Sequence, residues 1–174
     1  MRVLPAIRER LLDNRLSTRQ IVQGYRGVSK KQLSNLVAIP LLPVVAAGRA
    51  EQDGDEPDLY QVRPEAVLAA PSSWCPNPSF TRCLRVKGGS MTPLLQSGYV
   101  IVVDISQTSP AELHGDIVVA SLKGDGLVVS RLLRFDHEEV LVPDNREYEA
   151  IILSKGKWRI IGKVLWWVGQ PVRT

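Results

Sequence analysis

From Cys83 onward the chain falls into short runs rich in valine and isoleucine, separated by turn residues at regular spacing. Brief β-branched runs bounded by Gly, Pro, Asn and Asp are the signature of strands joined by tight turns. The pattern predicts strands near 83–87, 99–104, 116–123, 127–134, 139–143 and 157–168. Lys123-Gly124-Asp125-Gly126, lying between Ile117-Val118-Val119-Ala120 and Leu127-Val128-Val129, predicts a hairpin. The Trp166-Trp167 pair near the end of the last strand is expected to pack against the sheet or close one of its edges.

Upstream the periodicity changes. Ile7, Leu11, Leu12 and Leu16 recur at helical spacing, and Ser17-Thr18 offers an N-cap for a segment beginning at Arg19. Gly24-Tyr25-Arg26-Gly27-Val28 interrupts the pattern, and Ser29 caps a second short helix over 30–37 with Leu33, Leu36 and Val37 on one side. Between this helical segment and the strands, residues 38–71 are rich in Pro, Gly, Ala and acids and read as a linker or long exposed loop. Within it, the apolar, extended-prone stretch 41–48 is expected to dock against something. No period of 20 to 50 residues recurs, which excludes a solenoid or propeller. The expected fold is therefore mainly β: a β domain over 72–174, preceded by a short helical segment over 1–37 and a linker over 38–71.

The length of 174 residues allows one domain with a small appendage, and 44% hydrophobic with 23% charged residues is enough to bury a core. The longest apolar stretch, 37–48, is broken by Pro40 and Pro43 and falls well short of a membrane span. The N-terminus lacks the continuous apolar core of a secretory signal, so the expected compartment is the cytoplasm, with no membrane association. Cys75 and Cys83, with His114 and His137, make neither a disulfide framework nor a metal site, and no cofactor is called for. Charge is distributed unevenly. Residues 1–50 carry nine basic side chains against Glu9 and Asp13, whereas the remaining residues carry 13 basic against 16 acidic. That surplus suits an arm facing nucleic acid, since phosphate neutralisation supplies most non-specific affinity, and it equally suits a solvated Arg-rich helix.

The segment richest in chemistry is Lys87-Gly88-Gly89-Ser90-Met91-Thr92-Pro93, directly after a predicted strand. Two glycines permit a sharp turn and the proline fixes its exit, which would hold the Ser90 hydroxyl at a tip, although a serine in a glycine turn is by itself an ordinary loop residue. Together with the residues C-terminal to it, this segment resembles the catalytic turn, Gly-Asp-Ser-Met, of the LexA, UmuD and phage-repressor family of self-cleaving proteins. The resemblance continues through Ser97-Gly98-Tyr99-Val100-Ile101-Val102-Val103-Asp104, His114-Gly115-Asp116-Ile117-Val118-Val119-Ala120, Val128-Val129-Ser130-Arg131-Leu132, Pro143-Asp144-Asn145-Arg146-Glu147-Tyr148 and Ile160-Ile161-Gly162-Lys163-Val164-Leu165-Trp166-Trp167. Upstream, Val45-Ala46-Ala47-Gly48 is similar to the family's scissile site, and the whole match covers roughly 38–170.

The resemblance implies a β domain of the LexA type, Ser90 as nucleophile and cleavage between Ala47 and Gly48. In this family a neutral lysine takes the serine proton, and the serine oxygen attacks the Ala-Gly carbonyl. The chain departs from the pattern at that lysine, because Ser130 stands in its place. A serine hydroxyl is no base near neutral pH, and the neighbouring Arg131 guanidinium is permanently charged and has no acceptor. Losing general-base assistance is typically worth about 10² to 10⁴ in rate. Self-cleavage is thus expected to be impaired or absent unless another base, Lys87 or Lys123 being nearest in sequence, takes over. Ser130 is compatible with an introduced inactivation or with a natural member that keeps the fold as a sensor or dimerisation module. Gly89 in place of the family's Asp is a second departure.

Residues 18–37 resemble a helix-turn-helix, with Ile21, Val22 and Tyr25 on the first helix and Leu33 and Leu36 on the second. Arg19, Arg26, Lys30, Lys31, Gln32 and Asn35 would then meet phosphates and base edges. Taken together, the resemblances imply a repressor that binds operator DNA as a homodimer, with an activating protein partner conceivable. Two alternatives stay open: an active self-cleaving serine peptidase using another base, and a protein-interaction module similar to UmuD.

Overall fold

In a computed structural model the described residues are 35–46, 59–122, 126–155 and 158–169. They form nine strands: β1 (Leu36–Ala46), β2 (Ala66–Pro71), β3 (Thr81–Val86), β4 (Val100–Asp104), β5 (Ile117–Leu122), β6 (Gly126–Phe135), β7 (Glu138–Val142), β8 (Ile151–Ile152) and β9 (Trp158–Val168). All nine belong to one sheet in the order β2-β1-β3-β4-β9-β5-β6-β7-β8. The sheet closes on itself because Ala46 at the end of β1 also pairs in parallel with Leu127 of β6. Six strands, β1-β3-β4-β9-β5-β6, therefore make a small barrel, and β2 and β7–β8 extend it on either side.

Strand alternation sorts the side chains into an inside and two outer cores. The inside collects Leu42 and Ala46 from β1, Leu84 and Val86 from β3, Ile101 and Val103 from β4, Val119 from β5, Leu127 and Val129 from β6 and Val164 from β9. A second core outside β5, β6 and β9 contains Val118, Val128, Leu132, Leu141 and Ile160. A third, outside β1, β3 and β4, contains Ile39, Leu41, Cys83, Val102 and Cys75. Closing so small a barrel needs sharp bends, and β9 supplies them: its register slips against β5 between Val119 and Ala120, and against β4 between Val102 and Val103. Bulges of this kind bend a strand and increase its twist. Gly162 sits beside the first, where a Cβ would lie 2.6 Å from the Asp104 carbonyl oxygen.

The architecture is mainly β, as the valine and isoleucine runs predict, and all six expected strands form, shifted by a residue or two at their ends. Leu122 pairs with Gly126, so β5 and β6 form the expected hairpin. Two expectations need correction and a third is narrowed. Residues 38–71 are not a continuous linker, since most of β1 and all of β2 fall there and the two strands pair over six residues from Leu36 to Leu41. Burial of Ile39, Leu41 and Leu42 outweighs the two prolines, and exposed Pro43 falls in the irregular step where β1 shifts register against β3. The second helix does not reach Val37, because Leu36 and Val37 already belong to β1 and the Asn35 carbonyl accepts the Ser72 N–H at 2.7 Å. Of the two roles expected for the Trp166-Trp167 pair, packing holds for Trp166 and closing an edge does not, since β9 runs between β4 and β5. Trp166 packs on the third core and donates its indole N–H to the Trp74 carbonyl at 3.1 Å, while Trp167 is exposed. The predicted first helix and the rest of the helix-turn-helix lie outside the described residues.

Candidate functional site

β3 ends at Val86, and the chain returns to β4 through a compact loop. Its neck is tied by the Val86 N–H to the Tyr99 carbonyl at 2.7 Å and by the Gly98 N–H to the Val86 carbonyl at 2.9 Å. Gly88 adopts a φ of 83°, a conformation open to glycine at no steric cost, which turns the backbone into the Gly89-Ser90 step. Thr92 then locks the turn, giving both its N–H and its hydroxyl to the Gly89 carbonyl at 3.1 and 2.8 Å. Met91 and Leu95, fully buried, anchor the loop in the barrel's inner core. Ser90, next to Met91, is held half-buried on this frame.

A strap from the β7–β8 connection crosses the turn. Asn145 donates its backbone N–H to the Ser90 carbonyl at 3.0 Å, and its side-chain amide to the Gly89 carbonyl at 3.0 Å and the Thr92 hydroxyl at 3.2 Å. The preceding residue, Asp144, receives the Arg131 guanidinium through two bonds of 3.2 Å, and Arg131 also donates to the Gly115 carbonyl at 2.9 Å. A fork of this kind fixes direction as well as distance. Arg131 is the residue after Ser130, so the strap connects the Ser90 turn to the segment of β6 that carries Ser130.

Ser130 itself pairs with Val118 of β5 and shares its face of β6 with Val128 and Leu132, which places it on the side of the second core. It is 3% exposed, and its hydroxyl has no hydrogen-bond partner. The Ser90 and Ser130 hydroxyls are therefore not bonded to each other. On the opposite flank, the Lys87 N–H donates to the Ala46 carbonyl at 3.0 Å while Ala46 pairs with Leu127 of β6. The residue just ahead of the expected scissile pair thus lies between the Ser90 turn and β6. Ala47 and Gly48 lie outside the described residues, as do Arg19, Arg26, Lys30, Lys31, Gln32 and Lys123.

A family model described as Peptidase S24-like matches residues 40–165, nearly the whole barrel and both sides of this site. The chain belongs to the Peptidase S24-like family. Among curated relatives it is 35% identical over 139 residues to the LexA repressor of Magnetococcus marinus, covering 78% of this chain and 54% of that protein. It is 33% identical over 131 residues to the LexA repressor of Clostridioides difficile, covering 74% and 56%. The LexA repressor of Citrifermentans bemidjiense is 28% identical over 144 residues, covering 80% and 65%. The chain thus spans between about half and two thirds of the length of these relatives.

Two residues of the site, both in the segment 143–148 that shares in the resemblance, are given no role by the sequence pattern. One is Asn145, whose only local signal is an Asp-Asn pair after Pro143. The other is Tyr148, whose hydroxyl would lie 3.4 Å from a Cβ at Gly89, so that the phenol flanks the turn. A groove of about 990 Å³ between Tyr60, Pro110, Glu139, Trp158 and Ile161 lies elsewhere and contains none of the residues named for this site. Two buried polar groups also stand apart from the site. Burial alone would raise the Asp104 pKa, but hydrogen bonds from Ser106, Gln107 and Asn77 at 2.6 to 3.0 Å outweigh it and hold the carboxyl below its usual value. Burial pushes the Cys83 thiol up to about 12, reinforced by the nearby Cys75. Among the described residues, no helix is long and apolar enough to cross a membrane.

Proposed function

We propose that this chain is a LexA-like transcriptional repressor of the cytoplasm in which the self-cleavage machinery is assembled but lacks its base. The basic N-terminal segment, with Arg19, Arg26, Lys30, Lys31, Gln32 and Asn35, contacts operator DNA, and the β domain pairs two copies so that two half-sites are read together. In the cleavage reaction the Ser90 oxygen attacks the Ala47 carbonyl carbon, the bond to the Gly48 nitrogen breaks, that nitrogen takes up a proton, and water hydrolyses the resulting ester. The frame for the attack is supported by Ala46, tied to Lys87 on the turn and paired with Leu127 on β6. The step that fails is removal of the Ser90 proton.

The observation that carries this reading is the Ser130 hydroxyl, buried and without a hydrogen-bond partner; the resemblance aligns it with the family's lysine. A lysine amine at such a site is desolvated, which lowers its pKa and leaves it neutral enough to accept a proton. Serine offers no such acceptor.

The decisive experiment substitutes Ser130→Lys and incubates the protein at neutral and alkaline pH. A break after Ala47 that grows with pH and vanishes in the Ser90→Ala, Ser130→Lys double variant is the expected result; an intact chain refutes the assignment of position 130. Electrophoretic mobility shift with and without residues 1–37 tests the DNA arm. Retardation that survives removal of those residues would refute it.

A further inference from the structure

A cut between Ala47 and Gly48 leaves β1 on the N-terminal fragment, and β1 is enclosed on both sides. Its first half pairs with β2, from Leu36 with Pro71 to Leu41 with Ala66. Its second half pairs with β3 and, at Ala46, with β6. The side chains divide between two cores, Leu42 and Ala46 entering the barrel and Ile39 and Leu41 the third core, and none of the four is more than 9% exposed. Three further backbone bonds fasten the strand: Ser72 N–H to the Asn35 carbonyl at 2.7 Å, Glu65 N–H to the Leu41 carbonyl at 2.9 Å and Lys87 N–H to the Ala46 carbonyl at 3.0 Å. Every partner named here is C-terminal to the cut. Each contact therefore bridges the two fragments, and none of them involves the 47–48 peptide bond.

We infer that scission between Ala47 and Gly48 does not by itself separate the N-terminal segment from the β domain. The slot bounded by β2, β3 and β6 is a strand-binding site whose occupant is residues 36–46 of this same chain, and the cut protein persists as a two-piece complex. Departure of β1 would uncover paired backbone on β2 and β3 and leave Ile39, Leu41 and Leu42 without their cores, opening the barrel at its closing contact. Release of the DNA-binding segment thus requires a second event that strips β1, either local unfolding of the barrel or displacement by another extended apolar strand. This deepens the proposed function by naming what regulates it, and it rests on that reading only for where the cut falls.

The test places a thrombin recognition sequence between Ala47 and Gly48 of the full chain, cuts it and follows both fragments by native size-exclusion chromatography with mass spectrometry. Co-elution at the volume of the uncut protein, unchanged on serial dilution and lost only in urea, is the expected result. Separate elution in native buffer overturns the inference. Should the insertion itself prevent folding, co-expression of residues 1–47 with residues 48–174 gives a second readout: co-purification through a tag on the shorter piece supports retention, and its absence refutes it. Because an added protease or separate genes make the break, failure of Ser130→Lys to cut itself leaves this outcome readable, and the two readings fail independently.

Discussion

Replacing Ser130 by alanine should make the protein more stable. The side chain is 3% exposed, its Oγ has no hydrogen-bond partner, and its neighbours on that side are Val118, Val128 and Leu132. A buried hydroxyl left unpaired costs about 1–3 kcal/mol relative to its hydrated state. Alanine keeps the Cβ and deletes only that oxygen, and the small void left behind returns roughly a few tenths of a kcal/mol. The net gain is on the order of 1 kcal/mol, which for a chain of this length raises Tm by about 2–4 °C. Urea titration at neutral pH reads it as a higher midpoint at unchanged slope. Ser121→Ala is the matched control, because Ser121 is 1% exposed and also unpartnered but shares its face of β5 with Val119, toward the barrel interior. Lysine at 130 should move stability the other way. Its amine would be held neutral in the fold and charged in the unfolded chain, so its folded pKa lies below the unfolded value of about 10.4. A group of this sign costs nothing above the unfolded pKa and destabilises increasingly as pH falls toward the folded one. Ser130→Lys should therefore lose stability relative to the parent on going from alkaline to neutral pH. If Ser130→Ala is less stable than the parent, the hydroxyl has a partner and the site is not a vacated amine pocket.

Asp104→Ala should cost roughly 1.5–3 kcal/mol, since it strands the donors of Asn77, Ser106 and Gln107. Because the Asp104 pKa is depressed in the fold, its contribution is complete above the unfolded value near about 3.9 and is lost as pH falls through the lower folded value, so acid titration of Asp104→Asn should show a flatter decline than the parent. Asn145→Ala should free the Ser90 turn, seen as faster amide exchange at Met91 and Leu95 with the β5–β6 hairpin unchanged; equal protection in both proteins would argue against the strap. Gly162→Ala should cost about 1–3 kcal/mol by urea titration, because its Cβ meets the Asp104 carbonyl at 2.6 Å and backbone cannot yield as a side chain would. Cys83, fully buried with its thiol pushed up to about 12, should react with thiol reagents only after unfolding; modification of the folded protein at the pH where a free thiol titrates would contradict its burial.

The strands that could be read from the sequence are those whose residues alternate locally, β3 to β7 and β9. β1 is legible only in part, as the extended-prone stretch 41–48 expected to dock; its pairing is not, because its partners lie in β2, at Cys83 and Arg85 of β3 and at Leu127 of β6, all outside its local pattern. β8, only Ile151 and Ile152, is too short to carry a period. The Ser90 turn was legible through its glycines and its likeness to a known motif. Asn145 was not, because it reaches Gly89 across 56 residues and leaves no trace in local spacing. Asn35 falls on a predicted helix because Ser29 offers a cap and Leu33, Leu36 and Val37 share one side, whereas the bond its carbonyl accepts from Ser72 depends on β2 having folded alongside.

The proposed chemistry and the stability of the fold make opposite demands on position 130. The second core surrounding it is apolar, with Val118 directly across the ladder and Val128 and Leu132 two residues away on either side. An amine there serves as a base because it is poorly solvated, and for the same reason it weakens the fold at neutral pH. Serine removes most of that penalty and all of the basicity, and leaves the ties around it untouched: Arg131 still grips Asp144, Asn145 still holds the Ser90 turn, and Ala46 still closes the barrel on Leu127. None of these passes through the side chain at 130. Under the proposed function, serine at this position leaves the β domain intact while removing its own cutting step, and β1 is the part on which separation of the two halves would then depend.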